Sequence, residues 1–424
     1  MAKIIDVMAR EILDSRGEPT LEVRVKLDDG TESCAGVPSG KSTGAFEAVE
    51  LRDGDPERYD GMGVLQAVKH VNTEIREAVI GLEAASQSAL DEKIISLDGT
   101  SNKSRLGANA LLGVSLAVCR AAAKSQKIPL YMHIRTLYGK NKRIFPIPMF
   151  NILNGGKHAD SGLSVQEFKV VPSGVVGYDL QLQAGSEIFH ALKKLLEQNG
   201  FAIGVGDEGG FAPHVESHAQ ALELIGQAVA EAGYEMGKDV FIALDVAADS
   251  FYDKTEDQYV LKPEGVNLTR ESLINVYKEW IQKYNVVSIE DGLHEEDWEG
   301  WATMKEKLEK ESTAWKLPLM LIGDDLLVTN VMRLEKAIEH RACNAVLIKV
   351  NQIGTVTETI ACMKLAEKNG MKRIISHRSG ETVDDFISDL AVGTGAEFMK
   401  SGSVSRGERL SKYNRLLEIY QNTN

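Results

Sequence analysis

FIALD (241–245), VVSIED (286–291), LMLIGDD (319–325), AVLIKV (345–350), RIISH (373–377) and AEFMK (396–400) are six short runs rich in apolar residues. Several are continuously apolar, as parallel strands covered on both faces must be. A helical stretch separates each from the next, and the β-rich pattern begins near Phe145. Between 186 and 198, Ile188, Leu192, Leu195 and Leu196 share one helical face. Repeated strand–helix units of this kind predict an α/β barrel of the TIM type, with an open doubly wound sheet as the alternative.

The pattern changes upstream. Runs at 21–26 and 31–37 flank Asp28-Asp29-Gly30, a strong hairpin signal. Helical periodicity follows at 64–80, 89–96 and 108–124. This section reads as an α+β capping domain over 1–138. The turn-prone connector GKNKR (139–143) then opens a barrel domain over 139–424.

Bulk properties narrow the function. A net charge of −14 argues against a nucleic-acid backbone or an anionic membrane surface as partner. An anionic substrate therefore needs a local cationic pocket. Cys34, Cys119, Cys343 and Cys362 are scattered, which suits free thiols in a reducing compartment. The first residues lack the apolar stretch of a signal peptide. The most apolar run, 108–119, is too short to span a bilayer and reads as a buried helix. These features predict a cytoplasmic protein.

The late strands end on Asp245, Glu290, Asp324, Lys349, His377 and Lys400. In an α/β barrel such ends meet at one face, where catalytic groups collect. Any one of them is explained by a strand leaving the core, but six in succession are not. Three carboxylates about 5 Å apart repel by roughly 3 kcal/mol per pair at an effective dielectric of 20. A divalent cation removes that penalty, and all-oxygen ligands favour Mg²⁺ or Mn²⁺ over zinc. Burial and nearby cations are expected to lower Lys349 from about 10.4 toward the ~7–8 of a general base. Such a set suits removal of a proton next to a carboxylate.

Four loops compete for roles. GVGDEGGF (204–211) contains a literal G-x-G-x-x-G, but Asp207 and Glu208 would face a pyrophosphate and Pro213 interrupts any helix start. It reads better as a loop presenting Glu208 as an acid. PSGKSTG (38–44) echoes a P-loop but has Ala35 where that pattern needs Gly, and reads as a loop closing over a site. HVESH (214–218) has metal-like spacing yet reads as a solvated helix start. NGGKH (154–158) with Gln166-Glu167 is a polar loop leading into a strand at Phe168.

Together VPSGKSTG, NGGKHA, QEF, GDEGGFAP, LDVAADSFY, SIEDGL, GDDLLVTN, LIKVNQIGT and SHRSGET closely resemble the enolase family, in its bacterial type, from end to end of the chain. The resemblance implies reversible dehydration of 2-phosphoglycerate to phosphoenolpyruvate, in glycolysis and gluconeogenesis. Two Mg²⁺ per site and a homodimer or octamer come with it. It implies Asp245, Glu290 and Asp324 as ligands of the first Mg²⁺, which holds the substrate carboxylate and the enediolate formed from it. Ser42 is linked to the second ion. Lys349 is implied as the base at C2 and Glu208 as the acid at the 3-hydroxyl, with Glu167 beside it. His158, Gln166, His377, Arg378, Ser379 and Lys400 are implied to bind substrate, Arg378 and Ser379 at the phosphate. The chain departs from the family at Lys41, commonly Ala, and in the segment before Lys400. Two other readings remain: a binding protein on the same fold, and a relative acting on another acid.

Overall fold

A computed structural model describes residues 1–41, 44–139, 144–311 and 319–423. Ser42, expected at the second metal, lies outside them.

The chain begins with an antiparallel meander, β1 (Ile4–Leu13), β2 (Pro19–Leu27) and β3 (Glu32–Gly36). The anticipated hairpin turns at Asp28–Gly30, and Arg24 pairs with Cys34. Leu21, Val23, Val25 and Leu27 alternate inward, so one face of the sheet is buried. The helix Ala108–Ser125 lies on that face and is buried over most of its circumference. A Cβ on Gly113 would stand 2.5 Å from Val23 Cγ2, so glycine is what lets this helix approach. The helical stretch read at 64–80 is continuous but divided: its middle, Val71–Ile75, is a π segment.

Eight strands close the barrel: β4 (Ile147–Asn154), β5 (Glu167–Val171) and β6 (Phe241–Asp245), then five more after an insertion. The insertion is a small antiparallel sheet of β7 (Tyr252–Asp253), β8 (Gln258–Leu261) and β9 (Val266–Leu268). The circuit continues with β10 (Val286–Glu290), β11 (Met320–Gly323), β12 (Ala345–Ile348), β13 (Lys372–Ser376) and β14 (Phe398–Lys400), which pairs back to β4. All six runs quoted above are barrel strands.

The barrel is not wholly parallel. β5 is antiparallel to both β4 and β6. The link from β4 to β5 has no crossover helix to carry the chain back, so the two strands form a hairpin. Reversal brings the start of β5 to the face where the other strands end. Glu167 pairs in register with Asp245, and Asp245 with Glu290.

Inside the barrel, Met149, Val171, Ala243, Met320, Ile322, Ala345, Leu347, Ile374 and Phe398 pack together. Alternate residues such as Phe168, Leu244, Ile289, Val346 and Ile375 face the surrounding helices. Side-chain caps start several of those helices, Ser217 accepting from Gln220 N and Thr355 from Glu358 N. No helix among the described residues is long and apolar enough to cross a membrane.

Candidate active site

The expected strand-end groups converge. A cavity of about 10 Å³ is lined by His158, Gln166, Glu167, Glu208, Asp245, Lys349, His377, Arg378, Ser379 and Lys400, with Ser376. Each is buried. Glu290 and Asp324 are not part of that lining but are tied to it by Lys400 and Lys349.

Lys400 Nζ stands 2.6 Å from Glu290 Oε1, 3.2 Å from Glu167 Oε2 and 3.3 Å from Asp245 Oδ2. Lys169 Nζ lies 2.9 Å from both Glu167 Oε2 and Glu290 Oε2. Lys169 was not anticipated. It sits two residues after Glu167 on the same face of β5, and a lysine in that otherwise apolar run was the available signal. Lys349 pairs with Asp324, whose other oxygen accepts from Gln352 Nε2 at 2.8 Å. Asp291, also unanticipated, accepts the backbone N–H groups of Asp324 and Asp325 at 2.9 and 2.8 Å.

These pairings bear on two expectations. The ligand atoms of Asp245, Glu290 and Asp324 do not all lie within 4.8 Å of one another. Among the described residues, the sets of three potential ligands whose atoms do so are Asp291–Asp324–Asp325 and His158–Glu167–Glu208. The ammonium groups of Lys400 and Lys349 take up the carboxylates instead. Lys349 moves the opposite way from expectation. Burial, Arg378 and Lys400 press its pKa down, but the Asp324 contact overrides them and holds it above the usual lysine value.

The carboxylates still carry more charge than these lysines neutralise. Burial, and then the Glu290 charge, push Asp245 well above the ordinary range. Burial and Asp324 raise Asp325 to about 8. Gln166 Oε1 is buried without a hydrogen-bond partner among the described residues, while its Nε2 is 3.4 Å from Asp245 Oδ2. Oxygen donors in excess, with an unused carbonyl oxygen beside them, fit a hard divalent cation.

Glu208 faces the opposite wall. Its Oε2 accepts from Asn151 Nδ2 at 2.9 Å, and Oε1 lies 3.4 Å from both His158 Nδ1 and His377 Nε2. Burial favours its neutral form, yet the two histidines and Arg409 hold it well below the ordinary carboxylate value. The glycine-rich loop thus delivers Glu208 as expected. Gly402 (φ +66) makes room beside it, since a Cβ there would stand 2.6 Å from Glu208 O.

The capping domain completes the mouth. Ser39 and Gly380 exchange backbone hydrogen bonds of 2.7 and 2.9 Å. Lys41 N donates to Ser379 Oγ at 2.9 Å, and Lys41 Nζ reaches Asp207 at 3.1 Å. Arg378 forms a bidentate pair with Glu47, at 2.9 and 3.2 Å. Nothing in the sequence near Glu47 signalled that pairing. His218, expected to be solvated, is fully buried: Val165 N donates to its Nε2 and its Nδ1 meets Glu264 at 2.9 Å. The loop before β5 folds over it and removes it from solvent.

Two family models cover nearly the whole chain: the enolase N-terminal domain over residues 4–134, and the enolase C-terminal TIM barrel domain over 142–423. The protein belongs to the enolase family. Within an enolase the strand-end face is where a lyase would work, and this chain places there an acid-rich cluster beside Lys169, Lys349 and Lys400.

Proposed function

We propose that the protein is a phosphopyruvate hydratase, dehydrating 2-phosphoglycerate to phosphoenolpyruvate and catalysing the reverse. The observation that carries this reading is a buried lysine and a buried glutamate, Lys349 and Glu208, on one cavity that also exposes Arg378 and Ser379. Removing a proton from one carbon and hydroxide from the next needs a base and an acid on different sides of the substrate.

Lys349 takes the C2 proton. It can do so only when Asp324 is drawn off its ammonium, because that contact stabilises the protonated form. Glu208 protonates the departing 3-hydroxyl. An anionic substrate beside it raises its proton affinity, the direction an acid requires. Lys400 and Gln166 orient the carboxylate end, with Glu167 held between Lys400 and Lys169. Arg378 and Ser379 bind the phosphate, Arg378 exchanging its Glu47 contact for phosphate oxygens. His158 lies on the loop that closes the pocket. Asp245, Glu290 and Asp324 would hold the first Mg²⁺ once Lys400 and Lys349 withdraw from them, Ser42 would belong to the second, and the ions would supply positive charge to the carboxylate side of the substrate. The closed cavity admits at most a water, so Lys349 and Lys400 must shift as substrate arrives. A cytoplasmic homo-oligomer serving glycolysis and gluconeogenesis is the setting this reading carries.

The test is ultraviolet absorbance after adding 2-phosphoglycerate and Mg²⁺ to the purified protein. A steady rise, absent with chelator and with Lys349→Ala, supports the reading. A folded, metal-supplied protein giving no rise would refute it and favour a binding role. Faster turnover of a non-phosphorylated hydroxy acid would instead reassign the substrate.

A further inference from the structure

Arg409 is fully buried on the last helix, Gly407–Gln421, and beyond its charge near Glu208 has no role in the reaction proposed above. Its Nη1 lies 2.6 Å from His377 Nδ1. A guanidinium carries donors only, so Nδ1 must offer its lone pair. The ring proton then sits on Nε2, which faces Glu208 Oε1 at 3.4 Å. The same guanidinium donates to three backbone carbonyls, Arg378 O at 2.5 Å, Ser379 O at 2.6 Å and Asp207 O at 3.1 Å. One side chain therefore joins the loop after β13 to the residue just before Glu208.

We propose that Arg409 is a positioning residue that locks His377 in its Nε2–H tautomer, so that Glu208 always faces a hydrogen-bond donor. A second ring proton would have to enter at Nδ1, directly against the guanidinium, so the imidazolium is blocked. The charged groups facing the ring are Glu208, Glu167 and Arg409. Burial acts in the same direction, disfavouring the charged ring. With Asn151 donating to the other oxygen, both Glu208 oxygens are oriented before substrate arrives. The catalytic consequence rests on the reading of Glu208 as the acid; the tautomer does not.

The experiment is multiple-bond ¹⁵N–¹H NMR on the full chain with ¹⁵N-labelled histidine, the His377 signals being identified by their loss in His377→Gln. The expected result is an unprotonated Nδ1 and a protonated Nε2 throughout the range of about pH 6 to 8 in which a free histidine titrates. An Nδ1–H ring or an imidazolium in that window would overturn the proposal. Arg409→Met should admit the imidazolium and lower kcat on the order of 100-fold with little change in KM. Arg409→Lys keeps a donor at Nδ1 and should retain the tautomer and recover part of kcat. If it keeps the tautomer yet turns over no faster than the Met variant, the carbonyl contacts alone matter and the proposal fails. Should the Met variant not fold, the parent and Lys spectra decide. A parent inactive toward 2-phosphoglycerate but showing the expected ring would sink the functional reading and leave the tautomer assignment standing.

Discussion

Replacing Lys169 by methionine isolates the contribution of a cation inside the barrel, because methionine fills similar space without charge or donors. Lys169 is fully buried and contacts Glu167 and Glu290 at 2.9 Å each. At that distance and an effective dielectric of 20, each contact amounts to about 6 kcal/mol of raw attraction. Desolvating an ammonium and two carboxylates takes most of that back, so the intact triad adds little net stability. Removing only the cation is different. Two carboxylates remain buried with Lys400 as their shared partner, and the expected loss is about 3–5 kcal/mol. An unfolding entropy of about 2.1 cal/mol/K per residue, applied to the 424-residue chain, turns that into a Tm lower by roughly 3–6 °C if the chain unfolds as one unit. Scanning calorimetry at pH 7, with chelator and then with Mg²⁺, is the assay. Added Mg²⁺ should narrow the deficit, since an ion at Glu290 replaces part of the missing charge. An unchanged Tm under chelator would refute the reasoning, because it would mean the carboxylates take up protons or water at no cost.

Two further outcomes follow from local geometry. A Cβ on Gly40 would lie 1.8 Å from Arg378 Nη2; the tip of that side chain can move, so Gly40→Ala should leave Tm nearly unchanged while raising KM for 2-phosphoglycerate by roughly 10-fold, about 1.4 kcal/mol of lost binding. An unaltered KM would show that Arg378 does not hold the phosphate. Burial alone would raise the Glu264 carboxyl, but the hydrogen bonds it accepts from the His218 ring and backbone hold it below its ordinary value. A depressed folded pKa stabilises above the unfolded value, near about 4.3, and that gain is lost as pH falls through the folded value. Glu264→Gln should therefore cost about 1 kcal/mol at pH 7, with the Tm gap to the parent closing in acid. A gap that persists unchanged below about pH 4 would assign the effect to packing rather than charge.

Much of the molecule was legible in its sequence. Strand periodicity and continuous apolar runs are local consequences of which faces are covered, so the six late barrel strands and the hairpin at Asp28–Gly30 could be read directly. The residues closing those strands converge because every parallel strand of a barrel ends at one face, so Lys349, His377 and Lys400 needed no further information. The glycine loop around Glu208 and the polar loop at His158 were also visible, since buried backbone turns demand glycine.

Tertiary structure decided the rest. The direction of β5 depends on whether the chain between Asn154 and Gln166 crosses the barrel or turns back, and composition does not distinguish the two. That reversal brings Glu167 and Lys169 into the site. The sign of the Lys349 shift depended on which neighbour came closest, because burial and Asp324 act oppositely and the ion pair falls off with distance. Glu47 and Arg409 come from segments without a motif, Asp291 from one that gave it no role, and their contacts with Arg378, His377 and Asp324 join residues far apart in the chain. Sequence determined which side chains had to be buried or to end a strand. Only the folded chain decided which charges met, because electrostatic partners are selected by distances of a few ångströms that no local pattern encodes.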